Sequence, residues 1–297
     1  MDVKKRRAAI KKMIAGSGLL FFGDTLFGNA QHVKNHETMR LKALKGNINH
    51  AVCKWCYPDI PLEVFAGKAQ DMGIKGIDLL KPTEWAIAKK YGLSCSMGTD
   101  TFASIEHGFN DKKNHASLIP NYKELIEKAA DNGVSQIIVF SGNRNGISNE
   151  EGWENCAVGL DPLVQLAEKL DVKIVMELLN SKVNHKDYQC DYTEWGVALA
   201  NKIDSSNFKL LYDIYHMQIM EGDVIATIEK HHKYISHYHT GGVPGRNEIN
   251  HSQELNYPAI MKAIHKTGFD GFVAQEFIPT YTDQMMALSE AIQICDI

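Results

Sequence analysis

From residue 46 onward, short apolar runs alternate with longer amphipathic ones. Ile48 to Cys53 reads as a strand, and 61–72 as a helix opened by Pro61 and stopped by Gly73. Ile74 to Leu79 predicts a second strand, followed by a helix over 82–91 and Gly92. Leu93 to Met97 is the third strand, and helix 120–132 stops at Gly133 before the fourth, Val134 to Phe140. Helix 153–170 leads into Val172–Met176, helix 191–203 into Phe208–Tyr212, and helix 222–232 into Tyr234–His239. Helix 257–267 stops at Gly268 before Phe272–Gln275, and a last helix covers 282–294. Strict strand–helix alternation implies a parallel sheet with the helices outside it. Eight such pairs in about 250 residues predict a closed (β/α)8 barrel. One domain, 46–297, holds them all. An open doubly wound sheet is the alternative. It usually carries a glycine-rich phosphate loop after its first strand, and Cys53-Lys-Trp-Cys-Tyr-Pro58 cannot form one.

The first 30 residues follow another pattern. Lys4, Lys5, Arg6, Arg7, Lys11 and Lys12 precede a weakly hydrophobic stretch from Met13 to Gly23, and Gly28-Asn29-Ala30 supplies small residues for cleavage. A basic region, a short apolar region and a small-residue site make an export leader. The Arg6-Arg7 pair is of the twin-arginine type, which implies a periplasmic or exported protein. Asp24 departs from the pattern, and a basic amphipathic helix on a cytoplasmic protein is the plainer alternative. Residues 31–45 read as a polar lead-in.

Composition narrows the function. The chain has 297 residues, 44% of them hydrophobic, and a formal net charge of −4. Removing 1–30 would take away six basic and two acidic residues, giving −4 − (6 − 2) = −8. An acidic surface disfavours nucleic acid and anionic membranes. The six cysteines are scattered through a chain long enough to fold without staples. They read as semi-buried thiols, and a second Cys-x-x-Cys to complete a zinc site with Cys53 and Cys56 is missing.

The chemistry lies at the ends of the last four strands. Glu177, Asp213, His239 and Glu276 close strands five to eight. In a barrel these ends form an arc at the mouth where such folds keep their sites. A carboxylate closing an apolar strand is costly unless paired or bound to a metal. One such Glu alone reads as a solvated strand cap; four on consecutive strands read as a ligand set. Three carboxylates and an imidazole suit one divalent metal, Mn²⁺ first, then Mg²⁺, Co²⁺ and Zn²⁺. Other candidates carry less. His231 and His232 are expected to be solvated at a helix end, His237 to face the barrel's other side from His239, and His107 and His115 to lie in a long loop. Trp55, Tyr57, Phe102 and Phe109 supply apolar surface, as core or as a site wall. Gly241-Gly242 is a plain turn or a place where backbone approaches substrate.

Residues 46–280 resemble the xylose-isomerase-like barrel superfamily of sugar phosphate isomerases and epimerases, and within it the hydroxypyruvate isomerases. The resemblance is carried by His50-Ala-Val-Cys-Lys-Trp-Cys56, Asp213-Ile-Tyr-His-Met-Gln-Ile-Met-Glu-Gly-Asp223, Pro244-Gly-Arg-Asn-Glu248, Leu255-Asn-Tyr-Pro258 and Ala274-Gln-Glu276. It implies a TIM barrel in which Glu177, Asp213, His239 and Glu276 bind one divalent metal. It further implies that Glu177 and Glu276 exchange protons with substrate while His216 and Arg246 hold its oxygens. Hydroxypyruvate isomerases can carry Gln where this chain has His239, and His there looks more like the ketose 3-epimerases. Those enzymes place a substrate-contacting Glu six residues after the first metal Glu, where this chain has Val183.

The reaction expected is metal-dependent isomerisation of an α-hydroxy aldehyde and ketone through an enediolate. Hydroxypyruvate and tartronate semialdehyde come first as the pair, with Arg246 clasping the substrate carboxylate bidentately. Ketose 3-epimerisation, or dehydration on the same metal, is the alternative. A non-catalytic sugar-binding module and an abasic-site endonuclease are the remaining readings. The endonuclease would need more His and Asp ligands and a basic groove. The partner is a small hydroxy-carbonyl compound, and a homo-oligomer is left open.

Overall fold

The computed structural model describes residues 43–297. The export-leader reading and nearly all of the lead-in lie outside the described residues. Eight parallel strands close into a barrel in sequence order, with β1 pairing to both β2 and β8. They are β1 (Asn49–Cys53), β2 (Gly76–Leu80), β3 (Ser94–Gly98), β4 (Gln136–Val139), β5 (Lys173–Leu178), β6 (Phe208–Asp213), β7 (Ile235–Thr240) and β8 (Phe272–Gln275). Every strand is one that the apolar runs predict.

The helices around them are α1 (Leu62–Asp71), α2 (Trp85–Lys90), α3 (Lys112–Asn132), α4 (Asn149–Leu170), α5 (Thr193–Ile203), α6 (Ile214–Met220), α7 (Val224–His231), α8 (Tyr257–Lys266) and α9 (Gln284–Cys295). Two of them start earlier than the sequence predicts. Helix α3 begins after Asp111, whose side chain accepts from Lys113 N, and runs through Pro120. Helix α4 begins after Ser148, which accepts from Glu151 N. In both, a side-chain oxygen caps the free N–H groups of a polar first turn, which shows no apolar periodicity. Helix 222–232 is shorter than expected, because the left-handed residues Gly222 and Asp223 separate it from α6. No helix among the described residues is long and apolar enough to cross a membrane.

The core fills two layers, between the helices and the barrel wall and inside the barrel itself. Strand residues two apart share a face, so His237 and His239 both point inward, and Tyr238 between them packs on Phe269 at 4.8 Å. This corrects the expectation that His237 faces the helices. His231 is also buried, with Nε2 3.2 Å from Glu194 Oε1 on α5. His115 sits within α3 and hydrogen-bonds Phe109 O through Nε2 at 2.8 Å. All six cysteines are free and buried rather than half-buried, as expected of a small apolar residue in a closely packed barrel.

Candidate metal centre

Glu177, Asp213, His239 and Glu276 each bring one ligand atom to a common place, all within 4.8 Å of one another, and all four residues are buried. The three strand ends and the residue just past β8 project inward at the same level of the barrel. His239 Nδ1 lies 3.2 Å from Glu177 Oε1, 2.7 Å from Glu276 Oε2 and 4.0 Å from Asp213 Oδ2. That nitrogen makes no hydrogen bond among the described residues. A buried ring nitrogen without a hydrogen bond, aimed at three carboxylates, fits a divalent cation held by oxygen and nitrogen donors.

Asp213 has a second task. Its Oδ1 accepts from His216 N at 3.1 Å and so caps α6. The strand therefore turns directly into a helix, which places His216 one turn on, beside the carboxylates. His216 Nδ1 accepts from Asn180 N at 3.1 Å and lies 2.6 Å from Asn180 Nδ2. The Asn180 amide is oriented by Val183 N and Asn184 N, which donate to its Oδ1 at 3.0 and 2.9 Å. With Nδ1 accepting, the proton of His216 sits on Nε2, which faces the site without a partner 3.6 Å from Asp213 Oδ2. Burial, Arg246 and His185 hold this imidazole well below its ordinary pKa. His216 is thus a neutral N–H donor.

Arg246 closes the other side. Its Nη2 donates to Asp213 Oδ2 at 3.1 Å and, at short range, to Glu276 Oε2, while Nε donates to Glu276 O at 3.2 Å. Its guanidinium lies between the rings of Trp55 and Tyr215, 5.4 and 5.3 Å from their centroids. The bidentate clasp of a substrate carboxylate expected from the sequence would require Nη2 or Nε to leave these protein partners. Nη2 and Nε are spent on the protein, which leaves Nη1 for substrate.

The backbone of Arg246 is left-handed, with φ +59°, a conformation that costs a non-glycine residue about 1–3 kcal/mol. Hydrogen bonds hold it there, from Arg246 N to Gly242 O at 2.8 Å and from Ile278 N to Arg246 O at 2.7 Å. Glu248 reinforces the turn by accepting from Thr280 Oγ1 at 2.9 Å and Tyr281 N at 3.2 Å. A Cβ on Gly242 would lie 2.3 Å from Glu248 O. That glycine serves the packing of this loop on itself.

The electrostatics separate the carboxylates. Burial pushes Glu177 and Asp213 above the usual carboxylate range. Burial acts on Glu276 as well, but Arg246 and His239 outweigh it and hold that group well below. Trp55 Nε1 also donates to Glu276 Oε1 at 2.7 Å.

Two site residues escape the sequence reading. Trp55 is a hydrogen-bond donor as well as apolar surface, and indole donation leaves no periodic signal. Asp78, on β2, is the other. Its Oδ2 lies 2.8 Å from His239 Nε2 and 3.2 Å from His237 Nε2. Its signal is present, since a carboxylate inside an apolar strand is what marks Glu177.

Comparison with known proteins places this geometry in a family. The model of the xylose isomerase-like TIM barrel matches residues 66–293. A Homo sapiens protein named "Putative hydroxypyruvate isomerase" is 30% identical over 76% of this chain and 77% of its own length. The hydroxypyruvate isomerase of Escherichia coli K12 is 25% identical over 73% of this chain and 88% of its own length. Among solved structures, the family 2 AP endonuclease of Brucella melitensis superposes with a TM-score of 0.72 at 20% identity, covering 80% of this chain and 96% of that one. The likeness to that structure shows the fold alone. The closed barrel, the family model and the two isomerase relatives agree: the chain belongs to the xylose isomerase-like TIM barrel family.

Proposed function

We propose that the protein is a metal-dependent isomerase of small α-hydroxy carbonyl compounds, with hydroxypyruvate and tartronate semialdehyde as the first pair to test. The observation that carries this reading is the buried convergence of Glu177, Asp213, His239 and Glu276 around a His239 Nδ1 that has no hydrogen bond. These four residues would hold the cation. When bound, it would supply a Lewis acid for the substrate carbonyl and favour ionised glutamates.

The chain's own residues supply the rest. One of Glu177 and Glu276 takes the proton from the carbon bearing the hydroxyl, and a proton is returned at the neighbouring carbon, which moves the carbonyl by one position. Glu276 is the better-fixed base, held by Trp55, Arg246 and its own backbone contact. Glu177, whose Oε1 lies 3.2 Å from His239 Nδ1, is the second carboxylate through which a proton is exchanged. His216 presents a neutral N–H to the oxygen on which charge develops. Arg246 is left with Nη1 to donate to substrate oxygens. Glu177, Asp213, His216 and Glu276 are all buried, which limits water at the exchange.

A ketose 3-epimerase is the second reading, favoured by one observation. Arg246 offers one nitrogen, Nη1, rather than the two-nitrogen fork of a carboxylate clasp, and a neutral sugar satisfies it equally well.

The test is solvent deuterium exchange into hydroxypyruvate and into free ketoses, after chelation and after restoring Mn²⁺. Mn²⁺-dependent exchange that Glu177→Gln and Glu276→Gln each lower by roughly 10²–10⁴-fold at saturating metal supports the reading. Exchange that persists in chelator, or full activity in either variant, overturns it.

A further inference from the structure

Below the four strand-end ligands, a second polar layer crosses the barrel interior. Asp78 sits at its centre, fully buried on β2. Its Oδ2 meets His239 Nε2 at 2.8 Å and His237 Nε2 at 3.2 Å. Its Oδ1 accepts from Ser96 Oγ at short range, and Cys53 Sγ lies 3.7 Å from Oδ2. The layer continues across the barrel. Gln136 Nε2 donates to Ser96 O at 2.7 Å and lies 2.9 Å from His237 Nδ1. Gln136 Oε1 accepts from Ser236 Oγ at 3.3 Å, which fixes the orientation of the amide.

The protons follow from these partners. Gln136 donates to His237 Nδ1, so the proton of His237 sits on Nε2 and is given to Asp78. Asp78 has no proton to donate while it accepts from His237 and Ser96. Its contact with His239 therefore requires a proton on His239 Nε2, and the lone pair of that ring is left on Nδ1, which faces Glu177, Asp213 and Glu276. We propose that Asp78 is a positioning residue that fixes the tautomer and ring plane of His239 for metal binding, with His237 and Gln136 holding Asp78 in that role. The proposal rests on the metal reading of the site.

Cys53, Asp78 and His239 also lie close enough to one another to hold an ion. His239 Nε2 and Asp78 Oδ2 are already joined by a hydrogen bond, and burial keeps the Cys53 thiol neutral. The cluster is therefore a hydrogen-bonded support rather than a second cation site.

The experiment measures Mn²⁺ affinity of the full chain by competition with a fluorescent chelator, for the wild type, Asp78→Asn and Gln136→Leu. Long-range ¹H–¹⁵N histidine spectra of the Zn²⁺-loaded proteins report the tautomers. The wild type is expected to bind Mn²⁺ and to show His239 protonated on Nε2. Asp78→Asn is expected to bind Mn²⁺ about 10–100-fold more weakly, the usual range for removing a partner of a metal-bound histidine. Gln136→Leu is expected to lose the single His237 tautomer and to weaken Mn²⁺ binding at least threefold. Asp78→Asn affinity within twofold of wild type, or a Zn²⁺-loaded His239 protonated on Nδ1, overturns the proposal. If Asp78→Asn does not fold, Gln136→Leu decides: an unchanged affinity overturns the proposal and a weakened one supports it. A wild type that binds no divalent cation overturns the metal reading instead, a result separable from the others.

Discussion

The indole N–H of Trp55 donates to Glu276 Oε1 at 2.7 Å, across the seam where β1 meets β8. The same ring covers Arg246, which holds the other oxygen of that carboxylate. One aromatic residue at the mouth therefore fixes both the orientation of the Glu276 carboxylate and the guanidinium beside it. Trp55 is 45% exposed, so its contribution to folding is small.

That division gives the first prediction. Trp55→Phe keeps the ring over Arg246 and removes the donor. It is expected to lower kcat about tenfold, the scale of one hydrogen bond to a charged group, with little change in Tm. Steady-state kinetics beside a thermal melt checks it, and a Tm loss matching the kcat loss would contradict the assignment.

Metal removal should be visible in stability alone. Three buried carboxylates facing one another are eased by a bound cation. Free Mn²⁺ at roughly a hundred times its Kd is expected to add about 2.7 kcal/mol by mass action. For a barrel of this size that is a rise of roughly 5–10 °C in Tm, reversed by chelator. A melt insensitive to Mn²⁺ would contradict the site.

The pH dependence of stability has an identifiable source away from the mouth. His50, on β1, is buried and neither ring nitrogen makes a hydrogen bond among the described residues. Burial lowers its pKa from 6.5 to about 4, partly opposed by Asp296. Between these values the unfolded chain binds the proton and the folded chain does not, so stability is full above about 6.5 and falls as pH drops toward 4. The loss amounts to about 3 kcal/mol and levels off below the folded pKa. Denaturant unfolding at several pH values should show that slope in the wild type and a flatter one in His50→Gln.

Glu248 is predicted to act through the loop that carries Arg246. Its carboxylate accepts from Thr280 and Tyr281, joining the loops after β7 and β8. Glu248→Ala is expected to lower stability by about 1–3 kcal/mol and kcat/KM about tenfold, because the strained turn at Arg246 loses its brace. Kinetics at saturating Mn²⁺ together with urea unfolding separates the two effects.

The barrel and the four ligand-capable side chains at its mouth were legible in the amino-acid order for one reason. An apolar run long enough for one strand, ended by a carboxylate or imidazole, is a local pattern, and local patterns survive in one dimension. Period-two alternation also held the correct face of His237, since His237 and His239 are two apart, although the expectation went the other way. Helix starts were less legible at Asp111 and Ser148 because a cap is a hydrogen bond rather than a periodicity.

By itself, then, the sequence determined the eight-fold alternation, the closed barrel and which strand ends carry ligand-capable side chains. The tertiary structure alone decided which side chains across the barrel touch. Asp78 reaches His239 over 161 positions and Trp55 reaches Glu276 over 221. It also decided that Arg246 faces two of the carboxylates, with only Nη1 free of protein partners among the described residues. Hydrophobic periodicity states the face on which a residue lies. Barrel closure sets which inward residues meet, and with that the proton on each imidazole and the charge on each carboxylate.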